Sequence, residues 1–273
     1  MTGPVLCAVD LGSLGDATAG FAACLARVSG VSVTLLHVPE RGDSPAEARA
    51  RLEALARTIA GTDLVVATES AEGDPAEAIA RRAAELDASA VVLGTHGGRG
   101  LERFMLGSVA ETVLHAAACP VATLREAARC EGPIRRIVCG VDLADTAPLR
   151  WAAALARRTG ADLIAVHAVP ALPEGGGHRL LPASFGPGLL EEAREGLARE
   201  IRSLGALPRA IRSRIEGGPA PRALIRCAEE ESADVLVVGV HPHILGSTTH
   251  PVVRGAGCPV VTIPARSRER ESE

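Results

Sequence analysis

The sequence predicts an α/β protein of two tandem domains, each with a parallel sheet flanked by helices on both faces. The first observation is an internal repeat, in which residues 5–10 return as residues 137–142 and residues 119–124 return as residues 258–263. The offset stays between 130 and 145 residues, which indicates a duplicated domain and not a short solenoid repeat. The second observation is that short apolar runs alternate with helical stretches in the order βαβαβαβαβ, which favours parallel strands joined by right-handed crossovers.

The first elements have distinct local signals. Residues 5–10 form a continuous apolar run, as expected for a strand that is buried on both faces of a parallel sheet. Residues 17–29 predict a helix that ends at Gly30, because glycine readily adopts the left-handed conformation that terminates helices. Residues 32–38 predict the second strand, again apolar and short.

A capping residue followed by proline marks each of the next two helices. Ser44 precedes Pro45 and predicts a helix that ends before Gly61, and Asp74 precedes Pro75 at the start of the third helix. The other elements of the first half are a strand at residues 63–69, a strand at residues 90–94, a helix at residues 108–117 and a strand at residues 121–124.

The repeat also sets the expected domain boundaries. Residues 128–134 form a short linker, so we expect one domain at residues 1–128 and a second at residues 135–265. Each is large enough to bury its own core. The main addition in the second domain is a stretch rich in proline and glycine at residues 171–188, which is typical of a surface loop.

Composition excludes several classes of function. Of the 273 residues 47% are hydrophobic and 23% charged, and the net charge of −4 gives no attraction for a nucleic-acid backbone. No apolar run approaches the roughly 20 residues that cross a bilayer, and the first residues lack the features of a signal peptide, so we expect a soluble cytoplasmic protein without a membrane partner. All 29 basic residues are arginine, which excludes sites that depend on a P-loop or Schiff-base lysine.

The seven cysteines predict neither a disulfide framework nor a redox motif. None forms a C-x-x-C pair. Cys7 and Cys139 fall in predicted strands, and Cys24 and Cys227 fall in predicted helices. We expect them to be small buried hydrophobes, and we expect Cys130, in the linker, to be exposed.

A glycine-rich loop follows the fourth predicted strand and carries the strongest functional signal. It contains Gly94 and Gly97, and Gly107-Ser108 opens the next helix. Glycines let backbone N–H groups approach an anion closely, and the helix N-terminus adds partial positive charge. Asp10, at the carboxyl end of the first strand, is placed to face the same crevice and to accept a ribose hydroxyl or an adenine amino hydrogen. The alternative is a plain glycine-rich connection in which Ser108 is only the N-cap of the helix.

At these residues the sequence resembles the universal stress protein family. The family pattern is a glycine, two residues, a glycine, nine residues, and then glycine with serine or threonine; Gly94, Gly97, Gly107 and Ser108 fit it without a spacing error. The resemblance extends over both halves. It implies two tandem Rossmann-like domains of the adenine nucleotide alpha hydrolase-like class, each with the strand order 3-2-1-4-5, and a cytoplasmic role in the stress response.

The resemblance also implies a ligand and its contacts. Members with this loop commonly bind ATP or AMP, and Mg²⁺ is a further candidate at the phosphates. By motif, Asp10 contacts the nucleoside, and Ala8 and Val38 line the adenine pocket with their backbones. The residues implied to hold the phosphates and ribose are Gly94, Gly97, Gly107, Ser108 and Val109. From the loop itself we add Arg99 as a candidate phosphate partner, although a solvated arginine is an equally good interpretation.

The second half departs from this pattern. Gly239 and Gly246 are seven positions apart, against thirteen between the corresponding glycines of the first half. Pro242 stands where Gly97 stands, and proline has no backbone hydrogen to donate. We therefore expect no nucleoside triphosphate in the second half, with AMP or another smaller ligand as the alternative. The nearby His241 and His243 match no zinc spacing, so we expect no metal site there.

We interpret the chain as a tandem universal stress protein that binds adenine nucleotide in its first half and acts as a sensor or scaffold. Two alternatives stay open: a slow ATPase or autophosphorylating protein, and a stress protein that binds another small molecule or a protein. Residues 121–124 and 260–263 are edge strands in the implied order, and exposed edges attract partners. The resemblance implies that they pair with each other within the chain. A homodimer and an unknown protein partner are further candidates.

Overall fold

A computed structural model of the chain places its strands in one sheet of ten. The structure describes residues 3–12, 14–39, 44–95, 106–125, 128, 132–169, 186–240 and 246–265. The strands of the first half are β1 (Val5–Ala8), β2 (Val33–His37), β3 (Val66–Ser70), β4 (Ala90–Gly94) and β5 (Val121–Leu124). Those of the second half are β6 (Arg136–Gly140), β7 (Asp162–Val169), β8 (Arg212–Gly217), β9 (Val235–Val240) and β10 (Val260–Pro264).

Helices cover both faces of this sheet, which confirms the predicted fold class. The helices of the first half are α1 (Gly15–Ser29), α2 (Pro45–Ala60), α3 (Pro75–Glu85) and α4 (Ser108–Ala116). Those of the second half are α5 (Ala147–Thr159), α6 (Gly186–Ser203), α7 (Ala220–Glu230) and α8 (Thr249–Gly255). One hydrophobic core joins α1, α2, α5 and α6 to the sheet, and a second core joins α3, α4, α7 and α8 to its other face.

The strand order of the sheet is β3-β2-β1-β4-β5-β10-β9-β6-β7-β8. Each half therefore has the order 3-2-1-4-5 within itself, and every strand pair inside a half is parallel. In the first half the chain leaves β1 toward β2 on one side and returns as β4 on the other. The carboxyl ends of β1 and β4 thus flank a crevice where the order reverses, which is the usual ligand site of an open α/β sheet.

The predicted helix signals are present in the structure. The Ser44 hydroxyl accepts the backbone N–H of Glu47 at 3.4 Å. The Asp74 carboxylate accepts the N–H of Glu77 at 3.0 Å. Gly30 ends α1 with φ 69°, a left-handed conformation that glycine adopts without a steric penalty.

The third strand was predicted at residues 63–69, but β3 begins at Val66. The residues before it follow α2, which ends at Ala60, and begin as a turn. Leu64 N donates to the carbonyl of Ala60 at 3.1 Å, and the Asp63 carboxylate lies 3.1 Å from Nε of Arg27 on α1. These contacts hold the chain in a turn, so the sheet pairing starts later than the apolar pattern indicates.

The two halves join through β5 and β10, which pair antiparallel, as the resemblance implied. Ala122 faces Val261 at the centre, and the threonines on either side make matching bonds. The Thr123 hydroxyl donates to the Val260 carbonyl at 3.3 Å, and the Thr262 hydroxyl donates to the Val121 carbonyl at 3.1 Å. This repetition places a pseudo-twofold axis at the centre of the sheet.

A further contact between the halves lies on one face of the sheet, where α1 packs against α5. Arg158, near the end of α5, donates from its guanidinium to the carbonyl of Ser29 at 2.9 Å. Ser29 is the last residue of α1, and carbonyls at a helix C-terminus lack intrahelical partners and carry partial negative charge. The arginine therefore satisfies the end of a helix in the opposite half.

The pairing of β5 with β10 leaves β3 and β8 as the edges of the sheet. On β8, Arg214 binds Glu216 at 2.6 Å and Glu231 at 3.3 Å, and Arg212 binds Glu231 at 2.5 Å. Hydrogen bonds from Arg212 hold the pKa of Glu231 below its ordinary value. Charged side chains along an edge disfavour the addition of another strand.

The described cysteines are free thiols, and burial raises their pKa values. Desolvation raises the pKa of Cys119 to about 11 and that of Cys258 to about 12. The fully buried Cys7 and Cys139 shift in the same direction for the same reason. A thiol becomes nucleophilic only as the thiolate, so these cysteines are chemically inert near neutral pH.

We predict that the substitution Val260→Asp destabilises the protein by about 3 kcal/mol or more. Val260 is 1% exposed at the junction of the halves, where an unpaired carboxylate would lose its hydration. The measurement is urea unfolding together with the rate of proteolysis at the linker. Val65→Asp is the matched control, because Val65 is 74% exposed. Equal stability of the two variants would show that the junction is not a buried interface.

We also predict that cysteine titration lowers the stability of the protein above about pH 8.5, the ordinary thiol pKa. The sequence has no lysine and no tyrosine, so thiols are the only side chains that ordinarily titrate between pH 8 and 11. The unfolded chain releases these protons first, and the free energy of unfolding therefore falls as pH rises.

The check is the ultraviolet absorbance of thiolate in a Cys130→Ser variant, which removes the one cysteine outside the described residues. In urea we expect midpoints near the ordinary value, and in the folded protein we expect the absorbance to develop at higher pH, with that of Cys119 near pH 11. A folded protein that titrates as the unfolded chain does would contradict the buried positions of these thiols.

Candidate functional site

A cleft lies at the carboxyl ends of β1 and β4, at the reversal point of the first half. Its cavity has a volume of 130 Å³. Strands, α1, α3 and the start of α4 contribute the lining, which consists of Ala8, Val9, Asp10, Thr18, Leu36, Val38, Pro75, Ile79, Leu93, Gly94 and Val109. The cleft thus brings together five of the residues selected from the sequence, namely Ala8, Asp10, Val38, Gly94 and Val109.

Asp10 is held at the mouth of this cleft by a local turn. Its Oδ1 accepts the backbone N–H of Gly12 at 3.0 Å, and Leu11 between them has a left-handed φ of 58°. The side chain is exposed and lines the cleft, and a carboxylate can accept further hydrogen bonds.

The two ends of the glycine loop lie together although they are far apart in sequence. Gly107 N donates to the carbonyl of Thr95 at 2.8 Å, and Thr95 N donates to the carbonyl of Leu124 at 2.8 Å. Gly94, at the end of β4, and Val109, in the first turn of α4, consequently line the same cavity. Gly97 and Arg99 lie outside the described residues.

Ser108 does not cap α4, in contrast to one of the two roles considered for it. The N-cap is Gly107, whose carbonyl accepts the N–H of Glu111 at 2.9 Å. Ser108 is the first helical residue and is exposed. The first N–H groups of a helix lack partners within it, so those at the start of α4 are directed toward an incoming acceptor.

Several lining residues were not selected from the sequence. Leu36, Ile79 and Leu93 provide an apolar wall, and Pro75 was identified only as the start of a helix. Thr18 is buried, with its hydroxyl donating to the carbonyl of Leu14 at 2.7 Å. The sequence could not identify this wall, because apolar residues at helical spacing have the same pattern whether they line a cleft or fill a core. The position of α3 over the carboxyl end of the sheet identifies it.

The second half has an equivalent cleft with a volume of 390 Å³. Its lining includes Asp142 at the end of β6, Gly239 on β9, and Gly246 and Ser247 just before α8. Thr249 donates its hydroxyl to the carbonyl of Gly239 at 2.8 Å, which ties α8 to β9. His241, Pro242 and His243 lie outside the described residues.

In each half, a histidine on the second strand bonds to the backbone beside the cleft. Nδ1 of His37 lies 2.8 Å from the carbonyl oxygen of Val9, and Nδ1 of His167 lies 2.8 Å from that of Val141. A carbonyl can only accept, so Nδ1 carries the hydrogen in both rings. These bonds fix the residue that precedes each aspartate, and they explain why the histidine recurs in the two halves.

A cavity larger than either cleft, 930 Å³, lies at the amino ends of β6, β9 and β10. Two of its charged side chains are bonded to nearby backbone: Asp234 accepts the backbone N–H groups of Arg135 at 2.7 Å and Arg136 at 2.8 Å, and the Arg136 guanidinium donates to the carbonyl of Glu231 at 2.6 Å. Ligands of open α/β sheets bind at the carboxyl ends of strands. We therefore assign the functional site to the clefts and not to this cavity.

The described residues contain neither a metal-binding cluster nor a membrane-spanning helix. Within the residues that the structure describes, no three His, Cys, Asp or Glu side chains are grouped as metal ligands. None of the described helices combines the length and the apolar character that a bilayer crossing requires.

Comparison with known sequences identifies the family. A profile of the universal stress protein family matches residues 1–125 and 133–264. A universal stress protein of Mycobacterium tuberculosis is 30% identical over 187 residues, which are 64% of this chain and 61% of that protein. Another, from Methanocaldococcus jannaschii, is 48% identical over 59 residues, 22% of this chain and 35% of its own length. The chain thus spans less than two thirds of these relatives.

Two solved structures share the fold over both halves of this chain. A functionally unknown protein from Pseudomonas aeruginosa PAO1 has a TM-score of 0.71 at 22% identity, covering 97% of this chain and 93% of its own. A universal stress protein from Archaeoglobus fulgidus has a TM-score of 0.70 at 20% identity, covering 95% and 98%. With the two profile matches, the repeated sheet and the paired clefts, these findings show that the chain belongs to the universal stress protein family as a tandem member.

Proposed function

We propose that the first domain, residues 1–128, binds an adenine nucleotide, ATP or AMP, and that the protein acts in the cytoplasm as a nucleotide-dependent stress-response sensor or scaffold. The observation that carries the proposal is the meeting of Asp10, Gly94 and Val109 in one cleft at the reversal point of the sheet. These residues come from three separate segments, and each was selected from the sequence for a nucleotide contact.

The walls of the cleft suit the adenine base. Leu36, Ile79 and Leu93 offer apolar surface to a planar ring, and the backbone at Ala8 and Val38 offers hydrogen-bonding groups to its edge. Asp10 is then in place to accept a hydroxyl of the ribose or a hydrogen of the amino group. The cavity of 130 Å³ is below the about 300 Å³ at which small-molecule sites begin, so it suits the base and leaves the phosphates outside.

The phosphates would then lie over the start of α4. Gly107 has no side chain to block a close approach, and α4 is nine residues long, so its dipole adds partial positive charge at that end. Ser108 is exposed and can donate its hydroxyl to a phosphate oxygen. The proposed contributions of Gly97, Arg99 and a bound Mg²⁺ concern a segment outside the described residues.

A sensor is favoured over an enzyme by the side chains at hand. The chain has no lysine to neutralise a transferring phosphoryl group. In the described lining of the cleft, the ionisable side chain is Asp10, whose Oδ1 already accepts the backbone N–H of Gly12. We infer that binding is read out by a protein partner.

We predict that Gly107→Val weakens ATP binding at least tenfold, or about 1.4 kcal/mol. Gly107 has φ −63° and ψ 145°, which any residue adopts, so valine adds bulk at the phosphates without straining the backbone. Gly246→Val is the matched control at the same place in the second half, since no atom lies within 4 Å of a Cβ built there. The measurements are calorimetric titration with ATP and the adenine content of the purified protein.

The wild-type chain should hold about one equivalent of ATP, and the control should match it. Loss of ATP binding in Gly246→Val, with Gly107→Val unaffected, would show that the nucleotide binds in the second half and would contradict the proposal. No binding at millimolar ATP would favour a stress protein for another ligand. Phosphate released over hours by the wild type, and lost in Gly107→Val, would instead support the slow ATPase.

A further inference from the structure

The two outer strands of the sheet, β3 and β8, occupy equivalent places in the two halves but carry different side chains. Gly73 and Gly218 align them, because each has a left-handed φ, 104° and 106°, and each immediately precedes the N-cap of the next helix. The positions two, four and six residues before these glycines are all charged in the second half, whereas the first half has two alanines and one glutamate there. They are Arg212, Arg214 and Glu216 in the second half, and Ala67, Glu69 and Ala71 in the first.

Charge protects β8 against the addition of another strand. Besides its contact with Glu231, Arg214 binds Glu230 at 2.9 Å. Arg226, on α7, binds Glu216 at 2.5 Å. An approaching strand would remove these ion pairs from water, which costs free energy. Pairing at the edge of the second half is therefore disfavoured.

The side chains of β3 give no comparable protection. Among the five residues of the strand, Glu69 is the charged one. The Arg82 guanidinium donates to both oxygens of Glu69, at 2.6 and 2.7 Å, and so compensates its charge from α3. Ala67 is exposed, and Ala71, just after the strand, is half-buried. The edge of the first half is thus lined by short side chains and one compensated charge.

The backbone of β3 presents hydrogen-bonding groups along this edge. At the two ends of the strand, the carbonyl of Val65 and the N–H of Ala71 each bond to β2 at 3.0 Å. Successive residues of a strand direct their N–H and C=O groups to opposite sides, so those of Val66, Thr68 and Ser70 point away from β2. Within the described part of the chain, no hydrogen bond reaches these outward groups. They form a row that can pair with another strand.

We propose that β3 pairs with β3 of a second copy of the chain, antiparallel and with Thr68 on the twofold axis. Thr68 then faces Thr68 of the second copy, and Val66 faces Ser70 of that copy. Each of these pairs exchanges both of its N–H···O bonds, as the hydrogen-bonded pairs of an antiparallel ladder do. The sheets of the two copies become one continuous sheet.

The edge fits a second copy because it is complementary to itself. In this register Glu69 lies opposite Ala67 of the second copy, so the two glutamates do not face each other. Facing threonines on one side of a ladder also interact favourably. The chain already contains a contact of this kind, since β5 and β10 are equivalent strands of the two halves and pair antiparallel.

The contact is short, and we therefore expect a weak dimer. The strand has five residues, and interfaces that bury less than about 1,200 Å² belong to transient complexes. Association of the full chain should appear at micromolar concentration and should be measurable by sedimentation equilibrium.

A matched pair of proline variants tests which edge is used. Thr68→Pro removes an N–H that β2 does not use, so the strand keeps its place while its outer edge is blocked. Ser213→Pro is the control on β8, because Ser213 is also exposed and stands the same five positions before its glycine. We expect Thr68→Pro to weaken association at least tenfold and Ser213→Pro to leave it unchanged. The reverse pattern would overturn the proposal.

A charge-reversal pair tests the register and keeps every backbone N–H. Ala67→Glu places a carboxylate opposite Glu69 of the second copy, and the twofold axis repeats this repulsion, so association should weaken at least fivefold. Ala67→Arg, a long side chain of the opposite charge, should retain the dimer. If circular dichroism shows that Thr68→Pro is unfolded, this pair decides the proposal. A dimer that Ala67→Glu leaves unchanged would contradict the register.

Amide hydrogen exchange identifies the contact directly. Exchange at Thr68 should slow as the protein concentration rises through the range of association, whereas exchange at Ser213 should stay constant. A dimer in which the exchange at Thr68 does not depend on concentration would use another surface and would overturn the proposal. A wild-type chain that remains monomeric up to millimolar concentration would do the same, and the edge would then be left to a different protein.

Discussion

The antiparallel pairing of β5 with β10 is the constraint on which the arrangement of the whole molecule depends. It converts two five-stranded parallel sheets into one sheet and fixes their relative direction. The strands of the two halves run in opposite directions. The two clefts, which lie at the carboxyl ends of their strands, therefore open on opposite sides of the molecule. The reciprocal threonine bonds and the Arg158 contact with α1 hold this geometry, and the two outer strands are left to face solvent.

Within each half, the same small set of backbone interactions builds the cleft. A histidine on the second strand holds the carbonyl that precedes an aspartate, and the aspartate is then locked by a turn of its own making. A bond across the ends of the variable loop brings the fourth strand and the following helix together, from Gly107 to Thr95 in one half and from Thr249 to Gly239 in the other. The framework is therefore independent of what the loop between those ends contains.

The walls of the two clefts correspond, although the sequences between their glycines differ in length. In the first half the glycine spacing and the longer helix α4 suit an anionic tail. In the second half the corresponding glycines are closer together in the sequence, and α8 has seven residues.

Much of this protein was determined by the sequence alone, because periodicity, caps and an internal repeat are local signals. They predicted the alternation of strands and helices, both ends of α2 and the start of α3, and Asp10 and Gly94 as cleft residues. The start of β3 was displaced because Asp63 and Arg27, distant in sequence, hold the preceding turn. The apolar wall at Ile79 and the cap at Gly107 were decided only by tertiary structure. Each depends on which segments the crossovers bring together at the carboxyl ends of the strands. No local sequence pattern contains that information.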